Sequence, residues 1–160
     1  MSKLDMFLAI SGSRQGAIRG ESQVAGHELE IDVKGWSWGM SQSVNPATNK
    51  ASKVSAQAIT VSKEIDSAST AIMSAVKAAE VLTSVELTCR DAGGHRPLDV
   101  LRIRMKKARI CDYNIVGQES ENRQIRETFS IAFKEIEVVY TPRSSVNAMA
   151  GACTFVDQYE

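Results

Sequence analysis

The chain has 160 residues, 43% hydrophobic and 24% charged, with 19 Lys plus Arg balancing 19 Asp plus Glu. That length suits one domain able to bury roughly 70% of its unfolded surface without disulfide or metal, and the composition excludes overall disorder. Zero net charge supplies none of the basic excess a nucleic-acid binder sets against phosphate, and it permits self-association.

From the N-terminus, the apolar run Met6-Phe7-Leu8-Ala9-Ile10 is too short for a secretory signal. No run approaches the roughly 20 apolar residues of a membrane helix. The expectation is a chain made in the cytoplasm, with no cleaved signal peptide and no membrane insertion. Leaving the cell would require a dedicated export machine.

Strand signals dominate the rest. Met6 to Ile10 is a short strand, followed by a Gly/Ser-rich segment from Ser11 to Gly26. His27 to Gln42 is a long candidate strand with Leu29, Ile31 and Val33 on one face. The phase slips at Gly35, and a β-bulge at Lys34-Gly35 would return Trp36, Trp38 and Met40 to the same face. Ser37, between the tryptophans, then points away from the core. Residues 43–56 form a polar loop in which Val44, Asn45, Pro46, Thr48, Asn49 and Lys50 offer little to pack, and loops of this length are commonly functional.

Gln57 to Lys63 resumes as a strand with Ile59 and Val61 inward. One helix follows, with Asp66, Ser67 and Ser69 as candidate caps and Ile72, Val76 and Ala79 as its apolar stripe. Val81, Thr83, Val85, Leu87 and Cys89 alternate with polar neighbours, and Asp91-Ala92-Gly93-Gly94 makes a hairpin turn. Leu101, Ile103 and Met105 lie on the next strand, and Arg109 to Gly117 forms another. Gln118 to Gln124 closes a second hairpin. In the last long strand, Phe129, Ile131 and Phe133 share a face before a slip near Lys134-Glu135, read as a second β-bulge, leads to Ile136, Val138 and Tyr140. Residues 143–160 read as an irregular tail.

Seven or so strands and one short helix at their side predict a single mainly β domain, a closed or nearly closed antiparallel β-barrel. Cys89 and Cys111 fall within strand-like runs and are expected as small apolar fillers, with Cys153 in the tail. No catalytic, metal or cofactor motif appears. His27 and His95 stand apart from any local site, and Gly12-Ser13-Arg14-Gln15-Gly16 lacks the ending of a phosphate loop. The basic stripe Arg102, Arg104, Lys106, Lys107 and Arg109 has no interleaved aromatics for stacking nucleic-acid bases, and reads as a solvated or subunit-facing strand.

Several segments resemble the haemolysin-coregulated protein (Hcp) family of type VI secretion. They are Met6-Phe7-Leu8 with Gly20-Glu21-Ser22, the Ile31 to Ser43 segment around Trp36-Ser37-Trp38-Gly39, and Lys63 to Ser69. The Arg90 to Gly94 turn and Phe133 to Pro142 extend the match. The resemblance implies a barrel protomer forming hexameric rings that stack into a tube inside a contractile sheath, capped by a trimeric valine-glycine repeat spike protein. It implies a secreted, non-enzymatic component whose lumen carries small effectors, with Ser37 facing that lumen. The length of the 43–56 loop and its lack of packing side chains suggest that it contacts the next ring. A phage-type tail-tube protein and a small-ligand-binding β-barrel are the alternatives.

Overall fold

A computed structural model describes residues 4–93, 96–119, 124–143 and 151–159. Gly94 of the first hairpin turn, His95, residues 120–123 of the second turn and residues 144–150 of the tail lie outside these.

β1 (Leu4–Gly12) buries Phe7, Leu8 and Ile10, and β2 (Gly16–Ile18) folds back on it. Gly16 opens β2 at φ +71°, a left-handed conformation that glycine adopts freely. Residues 19–30 then form a strap instead of the first half of a long strand. Leu29 takes φ 62° and is half exposed, which breaks the extended backbone there. The strap holds itself together through Gly20 N–H to Leu29 O (2.8 Å) and Ser22 N–H to Glu30 O (3.0 Å).

The two phase slips are changes of sheet, not bulges within one. β3 (Ile31–Asp32) pairs with β1, while β4 (Gly35–Ser37) pairs with β9 (Ile59–Glu64) in a second sheet. Val33 N–H donates to Met6 O at 3.0 Å and the next residue, Lys34, donates to Ser62 O at 2.8 Å. Adjacent residues therefore serve different sheets. A switch and a bulge both displace alternation by one residue, so the pattern alone does not separate them.

Between β4 and β9 runs an arm built from β5 (Met40–Ser41), β6 (Val44–Asn45), β7 (Lys50–Ala51) and β8 (Ser55–Ala56). Pairing of β5 with β8 and β6 with β7 makes the expected loop a narrow hairpin, exposed at every residue from Met40 to Ser55. Met40 thus leaves the core that alternation had assigned it.

α1 (Ser69–Lys77) follows β9 and packs on β12 (Arg109–Gly117) through Ile72 and Ala75. Its N-cap position is Ala68, not a polar residue. Asp66 and Ser69 bind each other's side across that position: Asp66 N–H donates to Ser69 Oγ and Ala68 N–H to Asp66 Oδ1, each at 2.9 Å.

β10 (Leu82–Asp91) pairs with β1 and with β11 (Leu98–Lys106), the expected hairpin partner. The register skips Thr83, so Leu82 is buried where Val81 and Thr83 were expected inward, while Val85 is buried as expected. β12 pairs with β13 (Ile125–Ala132), and here the register skips Cys111. That bulge turns Cys111 out to solvent, correcting its reading as a filler, whereas Cys89 is buried. β14 (Glu135–Tyr140) returns to the first sheet beside β11, and β15 (Cys153–Gln158) adds to it where an irregular tail was expected.

The first sheet has the order β15-β14-β11-β10-β1-β2, with β3 also on β1, and the second has the order β12-β13-β9-β4. Leu8, Ile31, Ile59, Val61, Leu87, Met105, Phe129 and Ile131 fill the space between them. The sheets do not close into a barrel. Chain segments crossing between them and the isolated Leu82–Ala108 bridge join them, without a continuous ladder among the described residues.

A methyl group on Gly20 would lie 2.7 Å from Glu30 O and Ile31 Cα, backbone atoms that cannot yield without moving β3. Gly20→Ala is expected to lower the unfolding free energy by about 1–3 kcal/mol in urea titrations. Gly35→Ala, which meets open space, should change it by less than about 0.5 kcal/mol. Equal losses would place the strap elsewhere.

Candidate functional site

The outer face of the second sheet carries short polar side chains in two transverse rows. Ser37 lies opposite Thr60, Thr60 opposite Ser130, and Ser130 opposite Asp112. Gly35, Ser62, Thr128 and Asn114 form the row beside it. Thr60 Oγ1 and Ser130 Oγ lie 3.1 Å apart. Ser37 is exposed, while Trp36 and Trp38 pack against the core. The face offers weak hydrogen-bonding groups and few charges, so it can touch many surfaces without holding any one tightly.

The arm begins where β4 ends, and all of Val44, Asn45, Pro46, Thr48, Asn49 and Lys50 gather at its tip. Asn45 Oδ1 accepts from Ala47 N–H at 2.9 Å, and Asn49 N–H donates to Asn45 O at 2.7 Å. Asn49 takes φ 55°, which asparagine tolerates better than most residues. Ser43 N–H to Ser52 Oγ (2.8 Å) and Ser52 N–H to Ser43 O (2.7 Å) steady the ladder below. The arm is thus a shaped projection of polar backbone and small side chains.

Two buried polar clusters escaped the sequence reading. Beneath the strap, His27 stacks on Phe7 with ring centroids 4.4 Å apart. Its Nδ1 lies 2.8 Å from Glu30 Oε2 and its Nε2 3.3 Å from Asp99 Oδ2. Arg90 Nε (2.8 Å) and Arg102 Nη2 (2.9 Å) also reach Asp99. Burial works against the Asp99 charge, but the two guanidinium groups outweigh it and hold the carboxyl below its ordinary range. Burial raises the Glu30 pKa, with His27 opposing it. His27 lies in the strap and Asp99 on β11, 72 residues later, so no local spacing could have joined them.

The second cluster lies under α1. Lys63 and Glu127 are both fully buried and ion-paired; Ser69 and the Tyr113 hydroxyl also donate to Glu127, and Lys63 reaches Asp66 at 2.9 Å. The Glu127 carboxyl, despite burial, is held low by Lys63, Ser69 and Tyr113. Burial, then Glu127, raises the Tyr113 pKa. A signal existed: Ile59, Val61 and Lys63 alternate inward, as do Glu127, Phe129 and Ile131, so both charges occupy core phases. With no opening to solvent at Lys63 or Glu127, the arrangement locks α1 to the second sheet.

Glu80, also buried, receives Arg14 and Gln15 N–H, each at 3.1 Å, and so closes the β1–β2 turn. Gly12 to Gly16 is that turn. Among the described residues no group of three or more His, Cys, Asp or Glu is placed to hold a metal ion, and no helix is long and apolar enough to cross a membrane.

A family model described as "Type VI secretion system effector, Hcp" matches residues 7–140. The chain belongs to the Hcp family. It is 32% identical over 151 residues to Protein hcp1 of Pseudomonas aeruginosa, covering 92% of this chain and 90% of that one. A type VI secretion system effector from Yersinia pestis has a crystal structure matching at a TM-score of 0.76 with 25% identity, covering 96% and 99% of the two chains. Hcp1 from Salmonella typhimurium matches in fold with a TM-score of 0.78 at 23% identity, over 99% of this chain and 96% of that one. This Hcp chain is a structural component of type VI secretion. The paired tryptophans and Ser37 lie within the matched residues; β15 lies beyond them.

Proposed function

We propose that hexameric rings of this chain stack into the inner tube of a type VI secretion machine, and that the hydroxyl-bearing face around Ser37 lines the channel. The observation that carries this reading is that face itself: a sheet surface, opposite the core, on which Ser37 is exposed and Thr60, Ser62, Thr128 and Ser130 are half-buried. Folded cargo of varied sequence needs a wall that binds weakly and repeatedly, and each hydroxyl contributes only about 1 kcal/mol to a contact. β4 and β12 form the two edges of that sheet, so neighbouring copies can meet there in a heterologous interface that closes into a ring.

The arm reaches the next ring through Val44, Asn45, Pro46, Thr48, Asn49 and Lys50. The trimeric valine-glycine repeat spike protein and the contractile sheath are the assembly partners, and small effectors are the cargo. The chain acts without turnover or cofactor, since sheath contraction supplies the work. It is cytoplasmic until assembly and is then secreted without a cleaved signal peptide.

Ser37→Glu places a longer, charged side chain on the channel face without touching a core position. Electron microscopy of the variant should show intact rings with an unchanged melting temperature, while effector co-purification falls at least tenfold. Ring loss would make Ser37 an interface residue, and full effector retention would remove the cargo role. A wild-type chain that runs as a monomer at micromolar concentration would overturn the ring itself.

A further inference from the structure

The arm is anchored at its root, and the C-terminal segment is part of that anchorage. Trp38, where the arm leaves the body, donates its indole N–H to Gln57 O at 2.8 Å, where the arm returns. The Trp38 ring lies 6.2 Å from Phe133, and Phe133 lies 6.1 Å from Tyr159 in an edge-on arrangement. Phe133 occupies the corner between β13 and β14. Tyr159 arrives there because β15 pairs with β14 as far as Gln158 opposite Glu135, and its own N–H then donates to Lys134 O at 2.6 Å. A cleft lined by Val54, Ala56, Gln57, Phe133 and Tyr159 separates the returning arm strand from this cluster.

We infer that Tyr159 is a positioning residue that fixes the direction of the arm, so that the C-terminal strand governs ring-to-ring contact, given the stacking role proposed above for the arm. Three rings in series connect the last strand to the arm's root. Beyond Trp38 and Gln57 the arm has two short ladders and is exposed from Met40 to Ser55, so a contact at the root bears directly on its orientation. Trp38 and Phe133 lie within the residues that the family model matches, and Tyr159 lies beyond them.

Tyr159→Ala and Tyr159→Phe, each in the full-length chain, separate positioning from general stability. Hydrogen exchange of purified rings reads the arm, residues 39–57, against β9 and β14 as internal references. Tyr159→Ala should quicken exchange in the arm roughly five- to tenfold with β9 and β14 unchanged, as loss of one aromatic pair predicts. Tyr159→Phe keeps the ring and should behave as wild type. Unchanged arm exchange in Tyr159→Ala would overturn the inference, as would an equal rise in β9 and β14, which would make Tyr159 an ordinary packing residue. Tube assembly, scored by microscopy on the same samples, should fail in Tyr159→Ala and recover in Tyr159→Phe. A quickened arm with normal tubes leaves the anchorage standing and overturns the stacking role instead.

Discussion

Lys63→Met is expected to lower the free energy of unfolding by about 3–5 kcal/mol at pH 7, because it leaves Glu127 charged and buried without its ammonium partner. The double variant Lys63→Met with Glu127→Leu should be more stable than the single one, since no unpaired charge remains. pH gives an independent check. In the wild type the Glu127 pKa is depressed below its unfolded value of about 4.3. Its contribution is therefore complete above that value and is lost as pH falls through the folded pKa. In Lys63→Met, burial raises the Glu127 pKa, and the sign reverses: the acid form is favoured, and stability falls as pH rises. The gap between wild type and variant should accordingly narrow from pH 7 toward pH 4. Urea titrations at one fixed protein concentration measure this, since any self-association of the chain is linked to unfolding. A variant as stable as wild type at pH 7 would mean that water or another cation serves Glu127.

Replacing Asn45–Lys50 by Asn-Gly should abolish tube formation while leaving rings intact. Val44 and Ala51 face each other across the ladder, so a two-residue type I′ turn closes the shortened hairpin without disturbing the pairs below. The residues removed are all exposed and make their hydrogen bonds within the tip. Folding and ring closure therefore lose nothing, and microscopy should show single rings with normal thermal melting. Rings that disperse into protomers would place the arm in the lateral interface, and tubes of normal length would remove it from stacking altogether.

Much of the fold was legible because period-two alternation reports which face of a strand is buried, whatever the strand pairs with. Ile59 and Val61, Ile103 and Met105, and Phe129 and Ile131 are all buried as read. The partner strand is what alternation does not encode. The slips at Lys34-Gly35 and Lys134-Glu135 were placed correctly and given the wrong cause, since only the pairing of Val33 and Lys34 with different sheets distinguishes a switch from a bulge. β15 was missed for a related reason: Phe155 and Val156 are both exposed on an edge strand, so no buried face marks it. Leu29 was assigned inward because nothing in His27-Glu28-Leu29-Glu30 announces its positive φ. Of the candidate site, Ser37 and the arm were visible as positions. The hydroxyl rows around Ser37 needed the register of three strands.

Residues 31–37, 98–117 and 125–140 each start in one sheet and finish in the other. Neither sheet can peel away without dragging backbone out of its neighbour, so a local opening has no seam along which to spread. A subunit woven in this way responds to a sudden thrust as one mechanical body: it stays whole, or it gives way all at once.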